Sequence, residues 1–421
     1  MHDRLPKDRP PLVPRYRNQG YDRESVDLRR AWVAERSGAN FDHVGRCSLD
    51  TETFRGNAEN VIGTVQTPVG VAGPLQVCGE HANGVFYVPL ATTEGALVRS
   101  YERGMVALTR AGGAEVRIWL DRNRITPVFT LPNVIAARDF ARHAESEMPR
   151  WRDVAASTTQ HGRLEGLTCV PAGREVYVDL EFHTADAHGM NMLSKAGDAI
   201  CRALAAAVPD VVRWQILSGY SAEKRAAGSL LRGGKGKKVT AGCRIPERTV
   251  RAVLHSTPED MAAMWHRTVV GHLASGAIGH NGHVANGLTA LFLATGQDVA
   301  NVANSSVAIT QLEVVFDEDE GRQALWASVT LPSLSVATVG GGTGLGTSRE
   351  CLGLLGCADG DPPGQGQAPK LAEIVAATVL AGELSMAAAI ASGEFVEAHE
   401  SYGRNRPGES DAVRTESDDA R

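Results

Sequence analysis

Four titratable side chains stand where they could do carbonyl and proton chemistry. They are Glu94 in Ala91-Thr92-Thr93-Glu94-Gly95, Lys224 in Glu223-Lys224-Arg225, Asp298 in Gly296-Gln297-Asp298, and His399 near the end of the chain. A carboxylate that follows two hydroxyl residues and leads into an apolar run can be a proton donor. It can equally belong to a helix start, because Thr92 and Thr93 can cap first-turn amides, which favour a nearby negative side chain. Lys224 beside Arg225 also reads as a solvated pair, Asp298 as a helix end and His399 as an exposed tail residue, since such side chains usually face water. The run Gly340-Gly341-Gly342-Thr343 is compatible with a simple turn.

Other clusters carry less. His280 and His283, with His272 nearby, could converge on an ion, but no carboxylate or cysteine completes a ligand set, so no metal is assigned. The basic turn from Arg232 to Lys238 reads as a solvated hairpin rather than a phosphate clamp. The seven cysteines are scattered and never spaced Cys-x-x-Cys, which points to reduced thiols.

The elements that must position these residues follow from length and pattern. With 421 residues, 43% of them hydrophobic, the chain can form more than one core, and a formal charge of −6 argues against nucleic acid as a partner. No apolar stretch in the sequence reads as a membrane span or signal peptide, so a cytoplasmic protein with no membrane partner is expected. Residues 1–16 read as a flexible arm and 17–50 as a small helical segment. Glycines and prolines among Val and Ile from 61 to 74 indicate short strands and turns, and a helix is expected from Glu94 to about 111. Strands are expected at 116–120, 128–131 and 174–182, with helices near 134–150 and 192–208. Together these suggest a small α+β unit embedded in a larger domain. Further helices are expected over 258–277, 283–296 and 370–391, the last apolar over much of its circumference and therefore buried.

At this point the sequence resembles the 3-hydroxy-3-methylglutaryl-CoA (HMG-CoA) reductase family, in the soluble catalytic-domain form of its class I members. The resemblance rests on Glu59-Asn60-Val61-Ile62-Gly63, Pro68-Val69-Gly70-Val71-Ala72-Gly73-Pro74-Leu75, Ala91-Thr92-Thr93-Glu94-Gly95, Asp186-Ala187-His188-Gly189-Met190-Asn191-Met192, Gly296-Gln297-Asp298 and Thr338-Val339-Gly340-Gly341-Gly342-Thr343, in that order. It implies an α+β fold in which a large, mainly helical substrate domain (51–118 and 217–395) carries an inserted ferredoxin-like cofactor domain (119–216), with a C-terminal flap from 396. It also implies a homodimer or higher oligomer with active sites between subunits, four-electron reduction of HMG-CoA to mevalonate through mevaldehyde, and NADPH as cofactor.

The resemblance also implies roles for individual residues. Lys224 would polarise the reacting carbonyl and Glu94 would donate a proton, with Asp298 close enough to keep Glu94 protonated; His399 would protonate the departing thiolate. Arg117, Ser218, Glu223, Arg225, Arg267, His283 and Asn286 would surround the acyl group, and Glu59, Asn60, Ser100 and Arg103 would bind CoA. Thr159, Gln160, Asp186, Gly189, Met190, Asn191, Gly340, Gly341, Gly342 and Thr343 would bind the cofactor. Glu223, Arg225 and Arg267 stand where the family has Asp, Lys and Lys, which leaves a related acyl-CoA or a non-catalytic paralogue as competing expectations. Gln160 replaces an arginine that serves a 2′-phosphate, so NADH is a second expectation beside NADPH, with Arg163 or Arg174 as substitute cations.

Overall fold

The computed structural model describes residues 11–16, 20–159, 161–318, 321–359 and 366–394. Helix α1 (Arg23–Ser37) opens on Asp22, whose carboxylate accepts the Ser25 N–H, and closes on left-handed Gly38. The antiparallel pair β1 (Val69–Cys78) and β2 (Asn83–Ala91) precedes α2 (Leu97–Arg110) and the long β3 (Ala114–Ile125). Then come β4 (Val128–Thr130), α3 (Val134–Ser146), α4 (Met148–Ala156), β5 (Arg163–Ala172), β6 (Glu175–His183), α5 (Met190–Ala207) and β7 (Arg213–Gln215). The chain continues through β8 (Gly236–Pro246), α6 (Glu247–Leu254), α7 (Pro258–Ser275), α8 (Val284–Thr295) and the short α9 (Val302–Ser305). It ends in β9 (Ile309–Asp317), β10 (Arg322–Leu334), α10 (Gly346–Leu354) and α11 (Gln367–Ser392).

Two separate apolar cores explain this order. In one, α3, α4 and α5 cover strands paired β7-β4-β6-β5, all antiparallel, and bury Phe129, Phe140, Trp151, Phe182 and Ile200. The other surrounds α11, whose side chains are buried through most of its length against α2, α7, α8 and the sheet β2-β1-β3-β8-β10-β9. This second unit joins its helices to a six-stranded sheet that the helical expectation did not include. The short strands expected over 61–74 include the start of β1, whereas β2, β8, β9 and β10 were not anticipated; β8 and β10 are buried on both faces and so alternate poorly. Strand β3 runs through both units, pairing with β8 along one stretch and with β6 at its end.

Helix α11 alone among the described helices is long and apolar enough to cross a membrane, and most of that stretch is buried inside the protein. Two buried acids interrupt it. Glu373 accepts the N–H groups of Glu80, His81 and Ala82 at 3.1, 2.8 and 2.6 Å, and Glu383 accepts those of Gly282 and His283 at 2.6 and 2.7 Å. A buried carboxylate is tolerated when amides surround it, and here each one pins a loop to the central helix. Gly104 of α2 lies where a Cβ would strike the Ala381 carbonyl, so α2 and α11 pack backbone to backbone.

Candidate active site

Lys224 is held in a conformation that few non-glycine residues adopt. Its φ is 55°, two residues after Ala222 at 56°, and a left-handed residue costs about 1–2 kcal/mol unless its surroundings enforce it. Buried Asn304 does so: its Oδ1 accepts the Lys224 N–H at 3.1 Å, while its Nδ2 donates to the Ser333 carbonyl and Ser335 Oγ. The ammonium then meets Asp298 at 2.7 Å. That hydrogen bond raises the Lys224 pKa, against modest burial. Desolvation pushes Asp298 up, but the Lys224 bond, the Ala300 N–H and the lysine charge outweigh it and hold the carboxyl below its ordinary value.

Behind this pair stands Lys235. The expectation of a solvated turn is wrong here: Lys235 and Lys237 are both buried, paired with Glu223 at 3.0 Å and Asp121 at 2.9 Å. Lys235 Nζ also donates to the Arg124 carbonyl and Met190 Sδ, so it ties the Glu223 loop to the 186–191 loop. Burial lowers its pKa, opposed by Glu223. A buried lysine cannot be read from a charge run; β8 begins at Gly236 and turns alternate lysines inward.

The 186–191 loop and the glycine turn complete this end of the site. Asp186 is buried and its carboxylate accepts the N–H groups of Gln367 and Ala368, so it caps the first turn of α11 rather than facing a ligand. Its carbonyl accepts the Thr338 N–H, which brings Gly340-Gly341-Gly342 alongside, and Thr343 Oγ1 closes that turn on the Gly340 carbonyl at 2.7 Å. Gly296 has φ 68° and packs so close to the Gly342 carbonyl that no side chain fits. Gly189 enters α5 with no side-chain cap, leaving the first-turn amides of Met190 and Asn191 available to an anion. Thr159 sits beside this terminus, its Oγ1 accepting from His161 and Gly162, and Gly162 touches Met192. Gln160 lies outside the described residues, and Arg163 is paired with Glu165 at 3.0 Å.

Glu94 is elsewhere. Helix α2 starts only at Leu97, with left-handed Ala96 before it and no side-chain cap, so neither threonine caps the helix as expected. Thr92 Oγ1 instead accepts the Glu94 N–H at 3.0 Å, and the Glu94 carboxylate receives Asn286 Nδ2 at 3.4 Å. Asn286 lies in the first turn of α8, whereas Asp298 follows its C-terminal Gly296. At about 1.5 Å per residue, α8 rises about 13 Å between Asn286 and Thr295, so Glu94 and Asp298 of one chain stand at opposite ends of a helix. The expected Glu94–Asp298 contact is not made within the chain.

Around Glu94, His283 packs its ring on Tyr101 at 5.3 Å and gives its N–H to Glu383. Further along α2, Ser100 and Arg103 both bond Ser385, and Arg103 and His255 flank Glu394 at 3.6 and 3.3 Å. Glu59 and left-handed Asn60 lie apart from these, next to Val61, whose carbonyl accepts from buried Arg29. Among the other expected ligands, Ser218 bonds the Thr126 carbonyl, Arg225 bonds the Glu223 carbonyl, Arg117 faces Glu80 at 3.7 Å, and Arg267 is exposed on α7. His399 lies outside the described residues.

A family model described as hydroxymethylglutaryl-coenzyme A reductase matches residues 25–404. The chain belongs to this family. It is 42% identical over 399 residues to the 3-hydroxy-3-methylglutaryl-coenzyme A reductase of Pyrococcus horikoshii, covering 93% of this chain and 94% of that protein. Against reductase 1 of Oryza sativa subsp. japonica the identity is 37%, over 91% of this chain and 72% of that protein. Among solved structures, a class II HMG-CoA reductase from Streptococcus pneumoniae bound to NADPH aligns with TM-score 0.64 at 20% identity, over 88% of this chain and 98% of that one, a likeness of fold. In this HMG-CoA reductase homologue, Lys224, Asp298, Glu223 and the 186–191 and 340–343 segments come together, while Glu94, His283, Asn286, Ser100 and Arg103 form a second group. Sequence reading missed Lys235, Asn304 and Glu383. All three act through burial, which a single sequence does not show; Glu383, a lone acid in an apolar helix, left the clearest signal.

Proposed function

We propose that this protein reduces HMG-CoA to mevalonate and CoA with two NADPH, in active sites assembled from two subunits. The observation that carries the chemistry is the Lys224–Asp298 pair, held by an enforced left-handed loop where the 186–191 segment meets the glycine turn. An ammonium fixed there stabilises the oxyanion that forms when a thioester, and then an aldehyde, accepts hydride. Bound NADPH supplies that hydride, and the chain fits it: the uncapped α5 terminus suits its diphosphate, the Gly340-Gly341 turn admits close approach, and His188 Nε2 is a buried nitrogen with no partner among the described residues. Glu94 protonates the aldehyde oxygen and His399 the departing thiolate. Ser218, Arg225 and Arg267 receive the acyl carboxylate, and Glu59, Asn60, Ser100 and Arg103 receive CoA.

The split between the two groups supports the dimer. A second chain that placed its Glu94 end against this Lys224 end would complete both sites at once, and half-exposed Val69, Val71 and Tyr87 of the β1–β2 pair offer apolar surface for such an interface. Within each chain, 119–216 acts as the cofactor domain: its order of strand, helices, two strands, helix, strand and its antiparallel pairing β7-β4-β6-β5 fit a ferredoxin-like unit. Seven free cysteines fit a cytoplasmic setting. The test is a stoichiometric assay with HMG-CoA, measuring NADPH oxidised against CoA released. Two per CoA supports the full reduction, one means the aldehyde is the product, and no oxidation by wild type overturns the reading.

A further inference from the structure

We propose that Glu394 competes with a phosphate of CoA for Arg103 and His255, so that the acyl-CoA must displace an acid of the chain itself in order to bind. The inference rests on the reading above that Arg103 receives CoA. Glu394 lies just past α11, which closes on left-handed Gly393. Its carboxylate meets basic side chains from two other helices, Arg103 Nη1 of α2 at 3.6 Å and His255 Nδ1 at the end of α6 at 3.3 Å. The guanidinium is aimed by α11 itself. Arg103 Nε donates to Ser385 Oγ at 3.0 Å and Nη2 to the Ser385 carbonyl at 2.6 Å, which turns Nη1 toward Glu394.

Local energetics do not favour an acid at this position. The C-terminal end of a helix carries partial negative charge, which repels a carboxylate and attracts cations. Glu394 stands directly after such an end, whereas His255, left-handed at φ 53° where α6 closes, is suited to its own helix end when protonated. Arg103 supplies the reason for the acid. Burial disfavours the charge of this arginine, and Glu394 opposes that effect. A phosphate ester would serve Arg103 equally well, since it brings at least the charge of a carboxylate and more acceptor oxygens to share between guanidinium and imidazole. Its arrival moves Glu394 into water and away from the helix end, so the exchange costs little beyond the lost pair. All three side chains are partly exposed, and ion pairs of that kind change an equilibrium only by a few-fold. Glu394 therefore trims affinity for CoA without abolishing it.

The test is isothermal titration of the purified protein and its Glu394→Gln variant with three ligands: CoA; dephospho-CoA, which keeps the diphosphate but lacks the 3′-phosphate; and pantetheine, which has neither. Glu394→Gln is expected to bind CoA about two- to fivefold more tightly than wild type, with the gain shrinking as salt is raised, and to bind pantetheine no differently. An equal gain for dephospho-CoA assigns the competing group to the diphosphate, and a gain for CoA alone assigns it to the 3′-phosphate. Unchanged CoA affinity in Glu394→Gln overturns the proposal. So does weaker binding, which would make Glu394 a support that orients Arg103, and so does an equal gain for pantetheine, which would mean that the substitution merely opens the site. Arg103→Ala separates this from the reading beneath it: a variant that binds CoA as tightly as wild type, or wild type that does not bind CoA, would overturn the assignment of Arg103 to CoA.

Discussion

Mixing two inactive variants tests the shared site directly. Glu94→Gln removes the proposed proton donor and Lys224→Ala the oxyanion cation; each alone should lower kcat by about 10²–10³. Because α8 separates Asn286, which holds Glu94, from Asp298, which holds Lys224, by a rise of about 13 Å, no glutamate side chain can bridge the gap within one chain. If the sites are shared between two subunits as proposed, a hybrid dimer contains one site that has lost both residues and one that has lost neither. If the two variants are unfolded together and refolded in equal amounts, about half of the dimers are hybrid and the mixture should recover about one quarter of wild-type activity. The assay is NADPH oxidation at saturating HMG-CoA, with each variant refolded alone as baseline. A refolded mixture no more active than the average of its two components, in a preparation shown by differently tagged chains to contain hybrids, would mean that each chain houses its own complete site.

Three further outcomes follow from the same geometry. Asp298→Asn removes the hydrogen bond that raises the Lys224 pKa, so the lysine loses its proton at lower pH and the alkaline limb of the kcat/KM profile should move down; an unmoved limb would show that Lys224 is not the group being titrated. Gly296→Ala places a methyl against the Gly342 carbonyl at φ 68° and should cost about 1 kcal/mol or more in urea unfolding, with a raised KM for NADPH because the glycine turn shifts. Glu373→Gln leaves an amide where three backbone N–H groups converge, and should lower stability by about 2–3 kcal/mol, read from the urea midpoint, with little change in KM.

Glu94 before an apolar run stood out in the sequence as a candidate, Asp298 was assigned a role only through the family resemblance, and helical periodicity located α1, α2, α5, α7, α8 and α11 to within a few residues. Boundaries were less legible. The expected helix over 134–150 is two, broken at Glu147 ahead of Pro149, and the helix after Glu94 starts three residues late because Ala96 is left-handed. The strands β8 and β10 were missed because burial on both faces erases the alternation that would mark them.

What the sequence by itself determined is which groups can do the chemistry and in what order they occur, since side-chain type sets pKa range and hydrogen-bonding capacity wherever the residue lies. The tertiary structure alone decided who meets whom. It set Lys224 on Asp298, turned Asp186 away to cap α11, buried Lys235 under Glu223, and put Glu94 at the far end of α8 from Asp298. Those are contacts between residues from about a dozen to nearly two hundred positions apart, fixed by how two cores pack around one helix and one long strand, and local pattern carries no information about them.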